Sequence, residues 1–505
     1  MRKKIVSVLV SMTIFIVLFS GNKAFAAQNV KVNLPTFKVT INGKEINNTY
    51  NQYPFITYKN ITYFPMTYEG CRYLGLETKW SDKTGLEVIK TNVSYPYSEY
   101  VSKTKNSGSY YATTPSFNIK INGKAINNQK EEYPLLVFRN VTYFPLTWRF
   151  GADEFSWDYH FNHATGLEIN SQNAIPKLMG LHDYYINEQK SDHKSYYYGG
   201  EFILFGDSIY YAGNKGAIYK AALDNLQNYR KIYDLPLNDI HYFPEGTYVQ
   251  PYFEVRNGEI YFTYHIGGAS MGSTYEVKIN SDDTVSEPAS VGIGAAPSPY
   301  FTNGYAFDWS STGDSRGYKA PRYETENFDY LIAFRENVEN DLSRIYKLNK
   351  TTGEITLISD KPAQSFKFRD GSIYFISNDN KLYGFSVSDN IVKTIVDKNI
   401  YDHSEAYEVI NSNVYYASDE KVYKNGIEEP LNFGEKCSSI QRAGDYVIIK
   451  FESTVSDSYK TIIYNKDGEE ILKTPKTMQI ISAYSNKIVY YDDIDSKVYL
   501  VTFQK

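Results

Sequence analysis

Cysteine is almost missing from this chain. Only Cys71 and Cys437 occur in 505 residues. They lie far apart, in segments that read as different domains, so no disulfide framework is expected even in an oxidising compartment; two free, buried thiols are. Histidine is nearly as scarce, with 7 residues, which leaves few nitrogen ligands for a metal centre. Basic charge is not in excess, since 53 Lys and Arg face 58 Asp and Glu for a formal net charge of −5, so no bulk attraction to nucleic acid or anionic lipid is expected. Long apolar runs are missing after the first 26 residues: none approaches the roughly 20 residues of a helical span. No membrane insertion is expected.

The first residues are a basic patch (Arg2, Lys3, Lys4), an apolar run from Ile5 to Phe19 and a small-residue site, Ala24-Phe25-Ala26. That is the layout of a secretory signal peptide cleaved near Ala26. Loss of the four cations Arg2, Lys3, Lys4 and Lys23 would take the formal charge from −5 to −9. No Cys follows the run to take a lipid, and the last residues, Val501 to Lys505, carry no sorting signal. The expected location is therefore secreted, extracellular or noncovalently associated with the cell wall. What the chain does have is tyrosine: 50 Tyr against 4 Trp, a composition that favours strands.

An internal repeat opens the mature part. Ile41-Asn42-Gly43-Lys44 returns as Ile121-Asn122-Gly123-Lys124, Thr62-Tyr63-Phe64-Pro65 as Thr142-Tyr143-Phe144-Pro145, and Thr84-Gly85-Leu86-Glu87 as Thr165-Gly166-Leu167-Glu168. Trp80 aligns with Trp157 on the same reading. In each copy Asn-Gly sets a tight hairpin turn and a second hairpin turns at Lys59-Asn60 or Arg139-Asn140. Pro65 or Pro145 then stops the strand, and Thr67 or Thr147 caps a short helix that carries Tyr68, Cys71 and Leu74 inward in the first copy. A closing hairpin around Leu86 and Val88 completes one helix on one small sheet, a unit of about 60 residues that is marginal alone.

These residues resemble the copper amine oxidase N-terminal-like domain, found in tandem on bacterial exported proteins, over about Leu34–Ile89 and Pro115–Asn170. The resemblance implies an appended module without copper or quinone. Oxidase chemistry is not expected: Asn228-Tyr229-Arg230 lacks the acid that must follow a quinone-forming Tyr, Asn327-Phe328-Asp329 has Phe in place of that Tyr, and no His-x-His pair exists.

From about Ser195 a second pattern recurs: a Gly, Asp or Asn turn, an apolar residue, two aromatics, a polar loop, then apolar-Tyr-Lys. It starts seven times, as at Asp207-Ser208-Ile209-Tyr210-Tyr211 and Asn486-Lys487-Ile488-Val489-Tyr490-Tyr491. Adjacent aromatics in a strand point to opposite faces, so each small sheet is expected to lie between two neighbours. A period of about 40–50 residues is that of a β-propeller. The last unit lacks a fourth strand, which the stretch between Met179 and Tyr198 is expected to supply. The region resembles low-density-lipoprotein-receptor-type propeller repeats that bacterial proteins carry in a domain of unknown function.

The expected fold is mainly β, a C-terminal β-propeller of about six to eight blades, seven by motif count, preceded by two small α+β modules. The segments read as residues 1–26 signal peptide, 34–89 first module, 90–114 linker, 115–170 second module, 171–194 linker or closing strand, and 195–505 propeller. Candidate chemistry is thin. His160-x-x-His163 has no counterpart in the first copy and no further ligand, so both rings are expected on an exposed hairpin. Asp492-Asp493-Ile494-Asp495 lacks the Gly and distal Glu of a calcium loop and reads as a solvated turn. Gly268-Ala269-Ser270-Met271-Gly272 matches a nucleophile elbow but is flanked by strands on both sides, unlike a working elbow. No catalytic, cofactor or metal residue is assigned and no cofactor is expected. The function read here is a non-catalytic envelope binding or scaffold protein whose propeller presents a ligand face to wall glycan, peptide or protein; the alternative is a propeller hydrolase or lyase acting on extracellular polysaccharide or peptide.

Overall fold

The structure is a computed structural model that describes residues 28–184, 201–213, 217–235, 252–256, 258–266, 273–293, 304–307, 322–400, 404–431, 436–452, 458–492 and 495–503. The expected signal peptide lies outside them. The chain is mainly β, built from many small sheets. It divides into two compact units: Met1–Lys90 with Ser98–Ser171, and Thr91–Tyr97 with Gln172–Lys505.

In the first unit the two sequence copies do not form separate modules. The first copy supplies β1 (Asn29–Asn33), β2 (Val39–Ile41), β3 (Lys44–Glu45), β4 (Ile56–Tyr58), β5 (Ile61–Pro65), α1 (Tyr68–Tyr73), β6 (Leu76–Ser81) and β7 (Gly85–Lys90). The second supplies β8 (Ser109–Thr113), β9 (Ile119–Ile121), β10 (Lys124–Ala125), β11 (Leu136–Phe138), β12 (Val141–Pro145), β13 (Asp158–Asn162) and β14 (Gly166–Asn170). Six of these strands close a barrel in the order β1-β4-β5-β12-β11-β8, three from each copy. Its register is two-fold symmetric: Lys31 pairs with Tyr111 and Phe64 with Phe144, each residue opposite the one eighty positions on. Val32, Ile56, Tyr63, Leu136 and Tyr143 fill it. The boundaries at 34 and 115 therefore cut through the fold, because β1 and β8 precede them. The linker at 90–114 contains β8, and its residues 91–97 belong to the second unit.

The remaining strands form two four-stranded sheets, β10-β9-β7-β6 and β13-β14-β2-β3, each joining hairpins of both copies through one parallel pair. The Asn-Gly turns hold these junctions. Asn42 and Asn122 have φ of 45° and 48° and the glycines after them 79°, the left-handed pair a type I′ turn needs. The Asn42 side chain accepts from Ser171 N–H at 2.9 Å, and Asn122 accepts from Lys90 N–H at 2.9 Å.

Between the capping Thr and the closing hairpin the copies differ in length by one residue. Thr67 caps α1 as expected, its hydroxyl accepting from Gly70 N–H at 3.2 Å. In the second copy Arg149–Glu154 is a π-helical turn preceded by Trp148 with no side-chain cap, so Thr147 does not cap a helix. One inserted residue changes the repeat offset from 80 at Thr147 to 81 at Gly166, and the wider turn absorbs it. The alignment of Trp80 with Trp157 is corrected by the register. Trp80 lies opposite Leu86, where the second copy has Phe161 opposite Leu167. Trp80 packs edge-on against Phe117 at 4.8 Å, and Phe161 against Phe37 at 4.9 Å. Trp157 instead takes the place of buried Leu76 and donates to the Leu74 carbonyl at 3.0 Å.

The second unit contains seven small sheets among its described residues. The motif at Gly304 falls on the first strand of the third sheet, Tyr305–Phe307; the other six lie on the second and third strands of their sheets. Where those strands face each other, an aromatic pair stacks directly across them: Tyr211 on Tyr219, Tyr264 on Tyr275, Phe375 on Tyr383, Tyr416 on Tyr423 and Tyr490 on Tyr499, all with ring centroids 5.5–5.6 Å apart. Neighbouring aromatics serve opposite faces as expected: Tyr210 packs against Phe253 and Phe262 of the following sheet, while Tyr211 packs against Val489 and Val498 of the last one. Shared cores of this kind join six successive pairs of sheets. The last sheet takes its fourth strand from β15 (Lys177–Leu178), which pairs with Lys497–Thr502. This closing strand falls just before the expected stretch, of which residues 185–198 lie outside the described residues; Met179 continues the pairing, its N–H bonding the Val498 carbonyl at 2.9 Å. The irregular third sheet has a fifth strand, Arg322–Glu324; most of the insertion before it lies outside the described residues.

Candidate functional site

Among the described residues, the first strand of each sheet in the second unit pairs on one side only. Such an edge leaves backbone carbonyls and N–H groups open. Three consecutive sheets cover these edges with charge. Lys367 and Arg369 stand on Lys367–Arg369, Glu408 on Tyr407–Ile410, and Arg442 on Lys436–Ala443. Glu408 alternates with buried Tyr407 and Val409 and is itself 1% exposed. Its carboxylate accepts from Lys367 Nζ at 3.1 Å and from Arg369 Nε at 2.6 Å and Nη2 at 3.1 Å. The same cations reach edge carbonyls: Lys367 Nζ donates to Tyr407 O at 2.6 Å, and Arg442 Nη1 to Val409 O at 3.2 Å. Arg442 also pairs with Asp370 at 3.3 Å, and Asp370 accepts from Asn411 N–H at 2.8 Å.

Burial alone would raise the Glu408 carboxyl, but Lys367 and Arg369 outweigh it and hold it below its ordinary range. Glu408 is thus an ionised, fully engaged carboxylate. It has neither the raised proton affinity of a general acid nor the free lone pairs of a base. The cluster stitches the first strands of neighbouring sheets together.

The residues singled out from sequence fall elsewhere. His160 Nε2 sits 3.4 Å from Glu168 on the outward edge hairpin β13–β14, half exposed, and His163 packs edge-on against Phe161 at 5.2 Å. Among the described residues no group of three His, Cys, Asp or Glu is placed to hold a metal. Asp492 is fully buried and pairs with Lys476 Nζ at 2.6 Å, which also reaches Asp495 at 3.1 Å. Asp492 is therefore a buried, lysine-paired carboxylate and not part of a solvated surface; residues 493–494 of the run lie outside the described residues. The Gly268–Gly272 motif also lies outside them. Its flanks, Glu259–Ile266 and Ser273–Ile279, are adjacent antiparallel strands, as expected. Cys71 and Cys437 are both free and buried, and burial pushes each thiol up to about 12.

The edge cluster was missed in the sequence. The one signal was Glu408, a charge at a strand position between two buried apolar residues; its partners lie 41 and 39 residues away.

No known protein family matches the chain, and no curated protein matches it. Among solved structures, a computationally designed protein is similar with a TM-score of 0.36 and 10% identity over 60% of this chain and 95% of its own. BamB from Moraxella catarrhalis is similar with a TM-score of 0.29 and 12% identity, covering 60% and 84%. Oligogalacturonate lyase from Vibrio parahaemolyticus gives 0.32 and 10%, covering 69% and 97%. At these scores nothing about function passes from them to this chain.

Proposed function

We propose that the chain is an exported, non-catalytic binding or scaffold protein of the cell envelope, and that its second unit closes as a seven-bladed β-propeller presenting a ligand face. The observation that carries the architecture is β15. A strand from the start of the unit completes the sheet formed by its end, which is how a ring of blades is locked. Shared cores linking successive sheets and first strands stitched by Lys367, Arg369, Glu408 and Arg442 support the same reading. The non-catalytic part is supported by the state of the buried carboxylates: Glu408 and Asp492 are each closed by cations. Export and wall association rest on Arg2 to Ala26 and on the tandem repeat with its resemblance to an appended exported module.

The test has two parts. Cell fractionation is expected to place the protein outside the membrane. The purified protein, screened on wall glycan and peptide arrays, is expected to bind without releasing product. Cleavage of a polysaccharide or peptide that disappears on changing a single carboxylate would overturn the proposal in favour of a hydrolase or lyase.

A further inference from the structure

The two ends of the symmetric barrel are built alike. At one end the β4–β5 turn places Lys59 Nζ 3.3 Å from the Glu132 carbonyl; at the other the β11–β12 turn places Arg139 Nη1 2.6 Å from the Gln52 carbonyl. Gln52 and Glu132 are themselves repeat partners, eighty residues apart. The symmetry breaks where the segment after residue 98 returns over the Arg139 end. Ser102 N–H donates to Tyr50 O at 2.6 Å and Asn106 N–H to Thr49 O at 2.9 Å, while the Asn106 amide donates to Asn48 O at 2.8 Å and Asn51 O at 2.7 Å. An open cavity of about 310 Å³ results, lined by residues that include Gln52, Thr104, Lys105, Asn106, Tyr110 and Arg139.

Its lining has an excess of donors. No Asp or Glu lines it, although the whole chain is net negative. The Asn106 Oδ1 side-chain carbonyl beside Arg139 already accepts from Arg139 Nη2 at 2.9 Å and Tyr110 OH at 3.1 Å. Arg139 carries five N–H donors, of which two are engaged by Gln52 and Asn106. The guanidinium is held against the Tyr110 and Phe138 rings at 4.9 and 4.8 Å, so its fork is oriented before anything binds. Lys105 is exposed at the rim. The volume is at the small end of ligand pockets, roughly 300–1,000 Å³.

We propose that this cavity binds a small oxyanion-bearing ligand of monosaccharide size, its carboxylate or phosphate taken by Arg139 and Lys105. The site belongs to the first unit and stands or falls independently of the propeller reading.

Calorimetric titration of the full-length mature protein with glucuronate, glucose 6-phosphate, inorganic phosphate and glucose tests it. At least one anionic sugar is expected to bind and glucose is not. Affinity is expected to fall about tenfold in Lys105→Ala and in Arg139→Lys, the loss of one charge-assisted hydrogen bond, and to weaken with salt. Lys59→Ala, at the equivalent end, is expected to leave it unchanged. Binding of glucuronate alone assigns a carboxylate ligand, and binding of the two phosphates alone assigns a phosphate. Silence with every anion, equal binding of glucose, or full affinity in both variants overturns the proposal. Lys105 is exposed, so its truncation leaves the fold intact and keeps the test decisive.

Discussion

Gly85 and Gly166 occupy equivalent places at which the two copies cross. Their φ values are +80° and +88°, and a Cβ on either would collide with a backbone carbonyl of the other copy, Asn118 or Lys38. Leu86 N–H and Leu167 N–H bond those same carbonyls at 3.0 and 2.9 Å. Gly85→Ala is expected to cost about 2–4 kcal/mol in urea unfolding, since it adds both a clash and an unfavourable backbone conformation. Glu408→Gln is expected to cost about 3 kcal/mol, because it leaves Lys367 and Arg369 near a neutral partner. The sign with pH follows from the direction of its shift. A carboxyl held below its ordinary value stabilises the fold above its unfolded pKa of about 4.3 and loses that contribution as pH falls through the folded value. Urea midpoints of the parent protein should therefore drop below about pH 4, and Glu408→Gln should flatten that drop. Both thiols, held neutral by burial, are expected to resist a thiol reagent at neutral pH until the chain is unfolded. At this scale the turns were legible, because Asn-Gly states its backbone conformation locally. Glu408 was not, because its partners lie on another strand.

The short helix after each Pro shows what one inserted residue does. Thr67→Ala should cost about 1 kcal/mol by removing the only side-chain cap of α1. Thr147→Ala, before the uncapped π turn, should change stability by less than about 0.5 kcal/mol. Thermal melts of the two variants compare them directly. The sequence showed the helix and the length change between the copies, but not that the turn would widen. It also paired the two tryptophans by identity, whereas the strand register pairs Trp80 with Phe161. The reason is physical: the exposed position needs any flat ring against Phe117 or Phe37, and the buried one needs volume beside Leu74. The stacked pairs of the second unit were legible as a motif because second-strand and third-strand aromatics recur at fixed spacing. Their cross-strand contact follows once the hairpin closes.

For the whole molecule, period and composition sufficed to expect a mainly β chain and seven repeats, and they placed a closing strand between Met179 and Tyr198, where the pairing strand is Lys177–Leu178 just before it. The exchange of strands between the duplicated copies was invisible. Alternation says which face a strand buries, and nothing in it says which copy the strand will join. Two barrel strands of each copy pair across to the other, β1 with β8 and β5 with β12, with Lys31 opposite Tyr111 and Phe64 opposite Phe144. A polypeptide holding residues 28–90 alone would present those positions to a second identical chain, as an isologous homodimer does. Light scattering is expected to find it paired when concentrated and unfolded when dilute. Joining the halves in one gene replaces that dependence with a tethered encounter at an effective concentration of order millimolar, so assembly no longer depends on how many copies of the chain are present.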